Sequence, residues 1–318
     1  MLLFATSDKG GTGRSVSSSN LAYRRALQGA NVCYVDFDFG SPTAGAIFAI
    51  DDLEHGTPGA GIHEYLQDLA SEPERHSVWA TSDRAELRAR PDGAGELVLC
   101  PGDADGSEFP GDETTIDRCV NLLQELSREF DLVIVDLSAG RSHATEMVMA
   151  ATARPELANL PWRWIVYHRW TKQHVIAAHS LVYGERGLVE TGKALGEDYQ
   201  RKLLASIRYV RTAVVDPDGA DLSGLKPTQV RWLRKIDADL HQMAARLKLG
   251  RMNLLGSVPL DPVLQWREQI ITDADTVTLD IANQETVRAF AELAVRSAEE
   301  LFVPGLEAIA RGIDRVVP

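Results

Sequence analysis

The stretch Leu2-Leu3-Phe4-Ala5-Thr6-Ser7-Asp8-Lys9-Gly10-Gly11-Thr12-Gly13-Arg14-Ser15 decides the fold. The apolar run Leu2 to Ala5 reads as a short buried strand. The segment from Ser15 to Gln28 reads as a helix closed by Gly29, where a left-handed residue ends it. Between strand and helix, the glycines of Asp8 to Ser15 let backbone N–H groups turn toward phosphate oxygens. The helix N-terminus adds a dipole that favours anions. Ser15 occupies the position from which a hydroxyl holds Mg2+. A glycine-rich turn alone can also be a plain tight turn, so the reading depends on the rest of the chain.

Working outward, Val32 to Val35 forms a second apolar run that ends in Asp36 and Asp38, and Leu132 to Val135 forms a third that ends in Asp136. Both place carboxylates at the C-terminal edge of a strand, where open α/β sheets bind ligands. Glu96 to Cys100 reads as a strand and Thr114 to Glu129 as a helix. The rhythm continues with a strand around Trp164 to Tyr167, a helix over Lys172 to Tyr183, a strand around Leu203 to Val210, a helix over Pro227 to Leu247 and a strand over Asn253 to Val258. Helices are expected over Val263 to Ile271 and Gln284 to Leu301. This alternation predicts an α/β fold with a doubly wound, mainly parallel sheet flanked by helices. The expected organisation is one domain over 1–303, with surface insertions near 51–95 and 212–226 and a helical tail over 304–318. Residues 51–95, with one helix near Ile62 to Leu69, read as peripheral.

Composition narrows the function classes. A formal charge of -13 over 318 residues opposes binding of nucleic acid or anionic membrane by bulk charge. Cys33, Cys100 and Cys119 form no CxxC pair and suit reduced thiols. No signal-peptide pattern opens the chain and no 18-residue apolar span occurs, so the expected location is the cytoplasm.

The motifs together resemble the ParA/MinD family, the deviant Walker-A P-loop ATPases. The family's loop KGGxGK[ST] and following NLA are matched by Lys9-Gly10-Gly11-Thr12-Gly13, Ser15 and Asn20-Leu21-Ala22. Its strand ending in DxD is matched by Gly29 to Asp38. Its Walker-B strand is matched by Phe130 to Asp136 with Gly140 after it, and its VPxD loop beside the base by Val258-Pro259-Leu260-Asp261. The resemblance implies ATP and Mg2+ as cofactors and a nucleotide-dependent homodimer with a protein partner. Lys9 would reach across the dimer to the partner's phosphates, and Asp38 would orient the attacking water. Ser15, Asp36 and Asp136 would surround Mg2+. Gly10, Gly11, Thr12, Gly13, Arg14, Ser15 and Val16 would line the phosphates, and Pro259 and Asp261 the base. For Asp36 the bland alternative is a cap at the end of a strand.

Three positions depart from the pattern. Arg14 stands where the lysine along the β- and γ-phosphates is expected, and a planar guanidinium is not equivalent to an ammonium tip. Val16 replaces a hydroxyl residue. The strand end resembling the family's base-reading segment, Ser206 to Val210, supplies Arg208 and no asparagine. Two readings therefore stay open: a slow ATP-dependent dimerising switch for positioning, partition or regulation, and a catalytically inactive nucleotide-sensing scaffold. An iron–sulfur ATPase built on Cys100 and Cys119 is a further alternative, and each cysteine also reads as a small apolar residue. The basic residues Arg231, Arg234, Lys235, Arg246, Lys248 and Arg251 raise DNA contact as an option that the global charge disfavours. The last residues, from Leu306 to Val317, carry balanced charge, which disfavours a membrane anchor. Trp162-Arg163-Trp164 and His168-Arg169-Trp170 mix aromatics with cations, a mixture that can stack nucleotides or bind partners, while alternate residues of such a strand more often read simply as core and edge.

Overall fold

The computed structural model describes residues 1–219, 222 and 224–299. Eight strands form one sheet: β1 (Leu2–Thr6), β2 (Val32–Phe37), β3 (His76–Ser77), β4 (Leu97–Cys100), β5 (Leu132–Leu137), β6 (Trp162–Arg169), β7 (Ile207–Val214) and β8 (Leu254–Pro259). Their order is β3-β4-β2-β5-β1-β6-β7-β8, and every pairing is parallel except that of β3 with β4. Parallel strands covered on both faces read as continuous apolar runs, which is why β1, β2 and β5 were visible in the sequence. All residues of these three strands are buried.

Alternate side chains feed two cores. Leu2, Phe4, Val35 and Val133 point to the face covered by helices Glu113–Glu129, His143–Thr152 and Lys172–Tyr183. Leu3, Ala5, Tyr34 and Ile134 point to the face covered by helices Arg14–Leu27 and Gln284–Ala298. Each fully buried large apolar side chain contributes about 1.5–3 kcal/mol. The chain winds away from β1 in both directions, so β1 and its neighbours β5 and β6 mark the switch point, with a crevice at their C-terminal ends.

Several expectations are corrected. Leu203 to Ser206 form the last turn of helix Glu197–Ser206, and the strand begins at Ile207. Leu203 is wholly buried while Leu204 is 41% exposed, as adjacent positions on a one-sided helix should be. The helix expected over Val263 to Ile271 stops at Trp266. Beyond it the Asn20 side chain donates to the Gln269 carbonyl and accepts from the Ile271 N–H, which holds that backbone out of a helix. Residues 51–95 are not merely peripheral: they supply β3 and bury Ile62, Leu66, Val78 and Leu87 completely. Helices His143–Thr152 and Leu188–Ala194 were not anticipated. The expected tail over 304–318 lies outside the described residues. Among the described residues, no helix is long and apolar enough to cross a membrane.

Candidate functional site

The loop from Asp8 to Gly13 links β1 to helix Arg14–Leu27. Gly11 (φ 71°) and Gly13 (φ 74°) are left-handed, a conformation that costs a residue with a Cβ about 1–2 kcal/mol. Gly13 caps the helix without a side-chain hydrogen bond, so its first-turn N–H groups are not capped by a side chain. A Cβ placed on Gly10 or Gly11 would meet no protein atom within 4 Å, leaving the loop open to a ligand. Lys9 at the loop's outer end is exposed, as a residue reaching outward requires. Behind the loop, the Gly140 N–H donates to the Ser7 carbonyl at 2.7 Å and ties the end of β5 to the end of β1.

The carboxylates gather at the edge of β2 and β5, where Asp36 and Asp136 are register partners. Arg14 lies between them and the loop. Its Nε donates to Asp136 Oδ1 at 2.6 Å, and its Nη2 donates to Asp38 Oδ2 at 2.7 Å and to Ser15 Oγ at 3.1 Å. The Arg14 side chain is only 6% exposed. Burial alone would lower its affinity for a proton, but Asp136 and Asp38 outweigh that effect and hold the guanidinium charged. Burial pushes Asp136 up, with Arg14 opposing it. Asp36 has no cation of its own, and burial followed by repulsion from Asp136 pushes it up to about 7.

The two oxygens of Asp36 are occupied: Oδ1 accepts the Asp38 N–H and Oδ2 the Ala44 N–H, both at 3.1 Å. This is the capping role. Of the residues expected around Mg2+, Ser15 and Asp136 accept from Arg14 and Asp36 accepts two backbone N–H groups, so a guanidinium stands against the hydroxyl and one carboxylate that the ion would use. Among the described residues, no group of three or more His, Cys, Asp or Glu side chains is placed to hold a metal ion. As arranged, this donor set does not fit Mg2+.

Beside the loop lies a cavity of about 220 Å3, lined by Gly11, Thr12, Gly13, Val16, Pro259 and Asp261 of the expected residues. It also takes in Arg169, from the cluster of aromatics and cations noted in the sequence, and Thr212, Gln265 and Glu268, which sequence reasoning missed. The positions of Arg169 at the end of β6 and Thr212 near the end of β7 were the available signal, since those strand ends flank the switch point. Thr212 donates to the Thr12 carbonyl and fixes the loop against β7. Arg208 lies elsewhere: it precedes Thr212 by four residues, about 13 Å along a strand, and its guanidinium donates to the Ala205 and Ile207 carbonyls. Asp261 borders the cavity with a committed carboxylate, which accepts from the Val263 N–H, the Asn283 N–H and the Thr286 hydroxyl.

Other singled-out residues belong to the core or to its supports. Trp162 and Trp164 are buried, and Arg163 donates to the carbonyls of Arg296, Ser297 and Glu299 at the end of the last described helix. The Trp170 Nε1–H donates to Asp237 at 2.8 Å. All three cysteines are buried thiols. Cys33 and Cys100 approach to 3.5 Å, and burial pushes Cys119 up to about 12. Arg234 pairs with Asp218, so the basic helix is partly neutralised.

Comparison with known proteins gives the same fold. No protein-family model matches the chain. Over 137 residues the chain is 28% identical to the septum site-determining protein MinD of Bacillus subtilis, a match covering 42% of this chain and 44% of that relative. The chain therefore matches about half the length of this curated relative. Among solved structures, the MinD of Pyrococcus horikoshii complexed with Mg-ADP superposes with a TM-score of 0.51 and 16% identity, covering 94% of this chain and 96% of that one. A putative plasmid partition protein of Borrelia burgdorferi bound to AMPPNP gives 0.54 and 14%, covering 93% and 97%. The fold is the one shared by these MinD and plasmid partition proteins.

Proposed function

We propose that the chain is a nucleotide-binding protein of the ParA/MinD type, which binds ATP or ADP across the loop Lys9 to Ser15 and associates with a second copy when loaded. Its role would be positioning, partition or regulation through a protein partner. The observation that carries this reading is the open, left-handed glycine loop at a helix N-terminus, set beside a cavity at the switch point and an exposed Lys9. The similarity to MinD over the matched stretch supports it. In such a dimer Lys9 would supply positive charge to the partner's phosphates, and Asp38 would orient the attacking water.

A second reading, nucleotide binding without turnover, draws on a specific contact. Asp38, the residue expected to orient water, is bonded instead to Arg14. Calorimetric titration with ATP, ADP and GTP, in magnesium and in EDTA, combined with light scattering and a phosphate-release assay, tests both. Micromolar binding with slow phosphate release is expected from a switch, and binding with no release from a sensor. Absence of binding to every nucleotide in both buffers overturns the nucleotide reading.

A further inference from the structure

We propose that the Arg14 guanidinium is a built-in cation of the nucleotide site, standing at the Ser15 hydroxyl and Asp136 carboxylate that would otherwise hold a divalent metal, so that a nucleoside di- or triphosphate binds without magnesium. This rests on the nucleotide-binding reading and adds a statement about its cofactor.

The geometry is that of a small ion site with its ion supplied by the chain. Ser15 Oγ, Asp38 Oδ2 and Asp136 Oδ1 converge on one planar cation at 3.1, 2.7 and 2.6 Å. Ser15 and Asp136 are the residues whose positions suit a metal and both are held by Arg14, while each oxygen of Asp36 accepts one backbone N–H. A divalent ion entering here must displace Arg14 from Asp136 and strip the buried guanidinium of its more buried partner, which is unfavourable. Arginine keeps its proton throughout the accessible pH range, so this internal cation does not dissociate. The bonds to Ser15, Asp38 and Asp136 use Nε and Nη2 of the guanidinium, and the fork carries a second terminal nitrogen, Nη1, as a further N–H donor. A lysine at position 14 has one nitrogen and no such fork. Its single ammonium cannot grip two carboxylates through separate nitrogens as the guanidinium does.

The test uses the full chain and two readouts. In the first, ATP and ADP are titrated calorimetrically in magnesium and in EDTA. Affinities within about threefold of each other are expected, and a loss of more than about threefold in EDTA overturns the inference. In the second, Mn2+ alone is titrated by electron paramagnetic resonance into the wild type and Arg14→Ala. The wild type is expected to bind no Mn2+ at micromolar concentration, whereas Arg14→Ala gains a site as Asp38, Asp136 and Ser15 are released. Micromolar Mn2+ binding by the wild type overturns the inference. Should Arg14→Ala fail to fold, both wild-type measurements still decide. Failure to bind any nucleotide in either buffer defeats the nucleotide reading itself, and the wild-type Mn2+ titration still shows whether Arg14 excludes a metal.

Discussion

Arg14 Nε lies 2.6 Å from Asp136 Oδ1, and both side chains are almost wholly buried. A buried ion pair is costly to half-remove, because the surviving charge keeps its desolvation penalty and loses its partner. Asp136→Asn is therefore expected to destabilise the fold by about 3 kcal/mol in denaturant unfolding. Asp38→Asn should cost less, since the Asp38 side chain is 24% exposed and water can replace it. Equal effects from the two substitutions would mean that Arg14 swings out of the site when either carboxylate is neutralised.

The loop conformation gives a second test. Gly11 is left-handed, yet a Cβ there meets no protein atom within 4 Å. Gly11→Ala should then cost only about 1 kcal/mol of stability through its backbone conformation. Nucleotide affinity should fall by about tenfold or more, because the methyl group projects into the space a phosphate would use. Calorimetry on a variant shown by circular dichroism to be folded makes the comparison. Unchanged affinity would move the phosphates away from Gly11.

Lys9 separates binding from association. Its side chain is exposed, so Lys9→Ala should leave thermal stability unchanged to within about 0.5 kcal/mol. If it acts across a dimer, the variant should stay monomeric by light scattering with saturating nucleotide, at a concentration where the wild type associates. Association equal to that of the wild type would remove Lys9 from the contact.

How much of this was legible in the sequence follows from what each signal encodes. Strands β1, β2 and β5 showed plainly because burial on both faces demands unbroken apolar runs, and the carboxylates at their ends followed by position. Leu203 to Ser206 misled because a short apolar run does not distinguish a strand from the buried turn of a helix. The clasp of Arg14 on Asp136 and Asp38 was not legible. The sequence shows which residue replaces the lysine, but only the fold shows that a longer, planar cation turns back to carboxylates brought to the same edge from β2 and β5. Nor could spacing show that Asp261 serves Asn283 and Thr286, whose positions depend on tertiary packing.

The last prediction concerns pH. Burial pushes His168 down to about 4, with Arg211 and His174 adding repulsion and the Arg169 carbonyl opposing them. Its ring packs against Trp170 and Tyr209. The unfolded chain, with a histidine near 6.5, binds more protons than the folded one between these two values, so this group's contribution is full above pH 6.5 and is lost as pH falls toward 4. Asp36, pushed up to about 7, acts in the opposite direction, because its folded form holds a proton that the unfolded chain releases. A comparison of wild type with His168→Gln cancels the Asp36 contribution and isolates the histidine. Relative to His168→Gln, the wild type should lose about 2 kcal/mol between roughly pH 7.5 and roughly pH 5 in guanidinium unfolding. A difference that does not change with pH would mean that water reaches the His168 ring and lets it protonate in the folded protein.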